Sequence, residues 1–157
     1  MERLNVGDDA PLFELMTGSG EAVRLADHVG KTSVVLFFYP KDDTPGCTRE
    51  ACDFRDMNDE FKAVGAVVYG LSKDSVSSHA KFAEKFTLSF PLLSDPDGSV
   101  CQSYRVWVEK LNYGKKYMGI ERTTFVIASS GKITHVYTKA KVDGHVAAVL
   151  SDIKSMA

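Results

Sequence analysis

The segment Ser33-Val34-Val35-Leu36-Phe37-Phe38-Tyr39 is an unbroken run of β-branched, aliphatic and aromatic residues. Such a run is the pattern of a strand buried on both faces. Pro45 and Gly46 interrupt the pattern, and a helix is predicted from residue 47 to about 64. In it Ala51, Phe54, Phe61 and Val64 recur at helical spacing and should face the core. Gly65 suits the end of that helix, and residues 66–72 read as the next strand. A second helix is predicted around residues 75–86, with Ala80, Phe82, Ala83 and Phe86 as partial core contacts. Upstream, residues 12–16 and 22–25 read as short strands about a Gly18-Ser19-Gly20 turn. Downstream, Asp95-Pro96-Asp97-Gly98 is a turn that opens a short helix through Tyr104. Residues 123–128 and 132–138, joined by Ser129-Ser130-Gly131, form a hairpin signal, and a last helix is predicted over residues 143–154.

Strands that alternate with helices predict α/β packing, and the final hairpin makes the sheet mixed rather than purely parallel. This is the element order of a thioredoxin-like fold: a mixed central sheet flanked by helices, with an N-terminal β extension. No repeat, low-complexity tract or linker divides the sequence, so one domain is expected over residues 1–157.

Composition narrows the function classes. Hydrophobic residues make up 44% and charged residues 25%, as in an ordinary soluble globular chain. Nineteen basic and twenty-one acidic residues give a formal charge of −2, and no segment concentrates the basic ones. That argues against nucleic acid or an anionic membrane as partner. The first residues, Met1-Glu2-Arg3-Leu4-Asn5, carry no apolar signal segment, so a cytoplasmic location is expected. Three cysteines in such a chain point to redox or catalytic use rather than a disulfide framework.

The chemistry concentrates in Pro40-Lys41-Asp42-Asp43-Thr44-Pro45-Gly46-Cys47-Thr48-Arg49-Glu50-Ala51-Cys52, between the buried strand and the long helix. Cys47 therefore falls at or near a helix N-terminus, where unpaired N–H groups and the dipole stabilise a thiolate. A thiol pKa of about 8.5 can fall to roughly 3.5–7.5 in such a setting. Helical spacing puts Cys47 on the inward row with Ala51 and Phe54, and Cys52 on a polar row with Arg55, Asp56 and Asp59. Residues five apart in an intact helix have Cα atoms about 8–9 Å apart. A disulfide requires roughly 4.4–6.8 Å. Any bridge between Cys47 and Cys52 thus demands local unwinding, which predicts a folded reduced state and a locally unfolded oxidised one.

These residues resemble the peroxiredoxins, and among them the bacterioferritin-comigratory or Q-type subfamily. The resemblance runs from Val6-Gly7-Asp8-Asp9-Ala10-Pro11 to the last helix. Pro40, Thr44 and Cys47 match the family's local motif. Arg122, in Gly119-Ile120-Glu121-Arg122-Thr123-Thr124-Phe125-Val126-Ile127, matches its remote arginine. The resemblance implies an antioxidant peroxidase for hydrogen peroxide and organic hydroperoxides, without a cofactor or metal and reduced by thioredoxin or a similar dithiol. It implies that Cys47 is the peroxidatic cysteine and Cys52 the resolving one. Arg122 would orient the peroxide and favour the thiolate, the Thr44 hydroxyl would bridge thiolate and peroxide, and Pro40 would shield the site. A monomer is expected over a dimer.

Simpler readings apply to several residues. Cys101 reads as a buried thiol in a short helix, although some relatives carry the resolving cysteine on another helix. Arg122 taken alone suits a surface ion pair with Glu121. Glu50 suits the first helical turn as an acid favoured by the dipole, with a site-organising role as the alternative. Trp107 reads as a packing residue. Gly30-Lys31-Thr32 matches only the end of a phosphate loop. His28, His79, His135 and His145 are scattered and no Cys-x-x-Cys occurs, which argues against zinc. A cysteine hydrolase would need a histidine base such as His135. A dithiol oxidoreductase or a holdase on the same fold are the competing functions.

Overall fold

The computed structural model describes residues 2–156. Its elements are β1 (Glu14–Thr17), β2 (Ala22–Arg24), β3 (Ser33–Phe38), α1 (Pro45–Ala63), β4 (Ala66–Ser72), α2 (Val76–Phe86) and β5 (Leu92–Ser94). They continue with α3 (Ser99–Ser103), β6 (Trp107–Asn112), β7 (Lys115–Ile120), β8 (Thr123–Ile127), β9 (Ile133–Thr138) and α4 (His145–Met156). Seven strands form one mixed sheet in the order β2-β1-β5-β4-β3-β8-β9, and β6 and β7 form a separate ribbon. β3, β4 and β5 are parallel, whereas β8 runs antiparallel to β3 and β9 antiparallel to β8. The mixed sheet flanked by helices is the architecture that the element order implies. Among the described residues no helix is long and apolar enough to cross a membrane.

β3 is the central strand and is buried on both faces, as its sequence demands. Val34, Leu36 and Phe38 enter one core with α3, Tyr104, Phe125 and the N-terminal segment. Val35, Phe37 and Tyr39 enter the other with α1, α2 and α4. On that second face Phe54 of α1 stacks on Phe37 at 4.5 Å between ring centroids and meets Phe90 and Phe61 edge-on or tilted. Gly70 of β4 keeps this layer thin, since a Cβ there would lie 2.8 Å from both Leu92 Cδ2 and Phe37 Cζ.

Three elements escape the hydrophobic pattern. β5 is only three residues long, and the β6–β7 ribbon has exposed positions on both faces, so neither shows a core-facing alternation. Ala80, expected to touch the core, is exposed, and the neighbouring His79 is buried instead. α2 turns that polar side chain inward because it has partners there.

Phe54 joins α1 to the sheet, so Phe54→Ala should cost about 3–5 kcal/mol of stability. A lowered urea midpoint with an unchanged slope is the expected outcome, and a loss below about 1 kcal/mol would contradict the packing described.

Candidate active site

α1 begins just beyond the carboxyl end of β3, at the edge of the parallel strands where open α/β sheets form their clefts. Thr44 is the residue before the helix, in extended conformation, and Pro45 fills the first helical position, where its missing N–H costs nothing. Cys47 follows in the first turn and is 2% exposed. On the other side of β3, β8 pairs Thr123 with Phe38. Arg122 therefore projects from just before β8, level with the helix start.

The guanidinium is shared. Arg122 Nη2 donates to Cys47 Sγ at 3.2 Å, and Nη1 donates to Glu50 Oε1 at 2.6 Å. Gly46 leaves the space for it, because a Cβ there would lie 3.3 Å from Nη2. Arg122 does not pair with Glu121, the partner that suits it when taken alone. Glu121 instead accepts a bidentate pair from Arg3, at 3.0 and 2.8 Å. Glu50 is fully buried, and its Oε2 has no hydrogen-bond partner among the described residues. Burial, opposed by Arg122, raises its pKa from 4.5 to about 7. His145 of α4 approaches Oε2 to 3.8 Å while its Nε2 is engaged with Thr124 Oγ1 at 2.8 Å. Burial and then Arg122 push His145 down to about 4, so it is neutral at physiological pH.

The other sequence-predicted residues are spread over the fold. The Thr44 hydroxyl donates to Lys41 O at 2.9 Å. Its proton is thereby committed, and its lone pairs remain free to accept one from a bound molecule. Pro40 is exposed at the start of the same loop. Cys52 is half-buried on α1, and burial raises its pKa. All three cysteines are reduced. Cys101 is fully buried in the opposite core, with its pKa raised by burial and then by Asp95. His135 hydrogen-bonds Thr134 and stacks on Tyr137, and it is Arg122 that touches Cys47. Trp107 is partly buried against the first core, with Lys73 Nζ 4.2 Å from its ring centre.

The loop that carries Thr44 is fastened by groups that the sequence reading missed. Asp42 Oδ1 accepts from Tyr39 at 2.6 Å, and Oδ2 accepts from Ser78 at 2.8 Å and meets His79 Nδ1 at 2.7 Å. His79 Nε2 donates to the Leu93 carbonyl at 2.9 Å. Asp42 N donates to Asp74 at 2.9 Å. Asp42, Asp74 and His79 are close enough together to suggest a metal set. Their facing atoms are already satisfied by protein hydrogen bonds, so the cluster reads as a structural clasp. Asp43, next in the loop, takes a left-handed conformation at φ 58° and pairs with Lys85.

A buried thiol at a helix N-terminus, touched by a guanidinium, is suited to nucleophilic attack that develops negative charge. Comparison with known proteins agrees. The model of the AhpC/TSA family matches residues 6–136. The chain belongs to this family, with the Bcp and Q-type peroxiredoxins as its relatives. Peroxiredoxin Bcp of Bacillus subtilis is 48% identical over 153 residues, covering 98% of this chain and 97% of that one. The structure of Xylella fastidiosa PrxQ superposes with a TM-score of 0.94 at 36% identity, with 99% of each chain covered. A structure of Xanthomonas campestris bacterioferritin comigratory protein, solved in a study of its alkyl peroxide reduction, gives 0.87 at 42% identity. It covers 92% of this chain and 91% of that one. Peroxiredoxins are thiol peroxidases that act through a peroxidatic cysteine, and this chain is one of them.

Glu50 and His145 make the stability of this peroxiredoxin pH-dependent in opposite senses. The contribution of Glu50 is complete below its ordinary 4.5 and is lost as pH rises through about 7. The contribution of His145 is complete above its ordinary 6.5 and is lost as pH falls through about 4. Glu50→Gln should remove the alkaline-side loss and keep the acid-side one in thermal midpoints measured across that range. An unchanged alkaline-side decline would contradict the assignment.

Proposed function

We propose that Cys47 is the peroxidatic cysteine and Cys52 the resolving cysteine of a thioredoxin-dependent peroxidase acting on hydrogen peroxide and small organic hydroperoxides. The whole chain, residues 1–157, would act as one domain, cytoplasmic and monomeric, in antioxidant defence. The observation that carries this reading is the contact of Arg122 Nη2 with Cys47 Sγ at the start of α1.

Arg122, which donates to Cys47 Sγ, would stabilise the attacking thiolate and face the oxygens of an incoming peroxide. The Thr44 hydroxyl, donating to Lys41 O, accepts the peroxide O–H and so orients the attacked oxygen. The sulfur pair forms the S–O bond, the O–O bond breaks, and the distal oxygen leaves as hydroxide or alkoxide and gains a proton. Pro40 at the loop start would limit the access of water to the sulfenic acid.

Resolution requires α1 to unwind over its first turns, because the helix holds Cys47 and Cys52 too far apart. Unwinding also brings Cys52 into water and removes the burial that disfavours its thiolate. The Cys52 thiolate then displaces hydroxide from the sulfenic acid to give the disulfide, with water as the product. A dithiol reductant reopens it by exchange. Cys101 is less suited to the part, since the central sheet separates its core from that of Cys47.

Thioredoxin-coupled peroxide consumption tests these roles. Cys47→Ser should lose the activity by at least about 10³-fold, given how nucleophile removal behaves in other enzymes. Cys52→Ser should complete a single turnover with peroxide and then stall with thioredoxin, and Cys101→Ser should turn over like the parent. An intramolecular disulfide in Cys52→Ser would assign resolution to Cys101 instead.

A further inference from the structure

Glu50 is a fully buried acid in the peroxidase site with one oxygen on Arg122 and the other unpartnered. The ionisable groups that face it are Cys47 and Asp53 on α1, Arg122 ahead of β8 and His145 on α4. Of these Arg122 is the cation in contact with Glu50, since His145 is held neutral, while Lys110 of β6 acts on Cys47 and Arg122 from the sulfur side. One guanidinium therefore serves two acids, Cys47 Sγ on Nη2 and Glu50 Oε1 on Nη1. Two anions on one buried cation would leave an uncompensated negative charge, and the unsatisfied Oε2 would add its own desolvation cost. One of the two acids is better off holding a proton.

We propose that Glu50 is a positioning residue that acts through Arg122 by exchanging charge with Cys47, holding a proton while Cys47 is a thiolate and releasing it once Cys47 is a sulfenic acid. This rests on the reading of Cys47 as the attacking thiol. The step balances: thiolate, hydroperoxide and protonated Glu50 give sulfenic acid, water or alcohol, and ionised Glu50. Sulfur is oxidised and the peroxide oxygens are reduced. The proton lost by Glu50 equals the one that the leaving hydroxide or alkoxide consumes. Before the step Arg122 is neutralised by sulfur, and after it by the carboxylate, so the guanidinium faces one anion throughout. A Glu50 pKa of about 7 sets the carboxyl where either state is reached at little cost. Such paired titrations belong to the unit rather than to either residue.

The consequence is a proton count. Sulfenic acid formation from an isolated thiolate takes up one proton from solution; with Glu50 as the source, the uptake vanishes. Protein carrying Cys52→Ser and Cys101→Ser, which stops at the sulfenic acid, is mixed with one equivalent of hydrogen peroxide in weak buffer. An indicator dye reads the protons at about pH 7.5, above the Glu50 value of about 7, where the carboxyl keeps its proton only while the Cys47 thiolate competes for Arg122. The expected uptake is near zero with Glu50 present and about one proton greater with Glu50→Gln, whose amide oxygen keeps the Arg122 contact but has no proton to give. Equal counts in the two proteins, whatever their value, would overturn the proposal. A second readout needs no change at Glu50: the infrared carbonyl stretch of a protonated buried carboxyl should disappear when peroxide is added, and its persistence would overturn the proposal too. Dimedone labelling of Cys47 in the same samples tests the underlying peroxidase reading separately. Absence of label there would remove the basis of the inference whatever the proton count.

Discussion

A half-buried guanidinium held between a thiol and a carboxyl constrains everything around it. Arg122 must reach Cys47 from a strand on the far side of β3, so the register of β8 against β3 has to put residue 123 opposite Phe38. The helix start must leave room, which Gly46 does. The loop before it must not drift, which the Asp42 clasp to Tyr39, Ser78 and His79 prevents. A buried cation lacking these acceptors would be far costlier than any single contact here is stabilising. The site is thus held by charge and hydrogen bonding, whereas the sheet beneath it is held by apolar packing.

That division matters because the proposed mechanism gives α1 two incompatible duties. Its first turns are helical and place Cys47 against Arg122, yet would have to open for Cys47 and Cys52 to meet. The turns that open are tethered by Arg122 to Glu50 and by an exposed ion pair between Arg49 and Asp143. Their core contacts are slight: Cys47 and Ala51 are buried but small. From Phe54 onward the helix is locked by the stacking of Phe54 on Phe37 and its edge-on contact with Phe90. Local openings follow such differences in buried apolar contact, so the helix has a defined place at which to stop unwinding. In the proposed mechanism oxidation weakens the tethered part specifically, since it changes the sulfur that Arg122 holds.

Where local chemistry decides structure, the sequence is readable. The apolar run of β3 and the spacing of Ala51, Phe54 and Phe61 survive in the structure, and so does Cys47 near the helix start. Pro45 and Gly46, however, open α1 instead of preceding it, because proline suits the first helical position. Arg122 was visible only through the motif around it, since a lone arginine beside Glu121 suggests a different ion pair. The groups that escaped are those whose meaning comes from distant partners. Asp42 is one more residue of the loop until α2 brings His79 to it, and His145 is one of four scattered histidines until α4 lays it beside Glu50 and Thr124. The β6–β7 ribbon escaped for another reason: Leu111, Tyr113, Tyr117 and Met118 are exposed, so burial imposes no periodicity on it.

The central claim is that oxidation melts the first turns of α1 and nothing beyond Phe54. Hydrogen exchange on the disulfide form, compared with the reduced form and resolved by peptide, tests it most directly. The account predicts faster exchange in residues 45–52, with protection kept from residue 54 to the end of the helix and throughout α3. An oxidised protein in which residues 45–52 stay as protected as in the reduced form, or in which the loosening falls on α3 around Cys101, would contradict it.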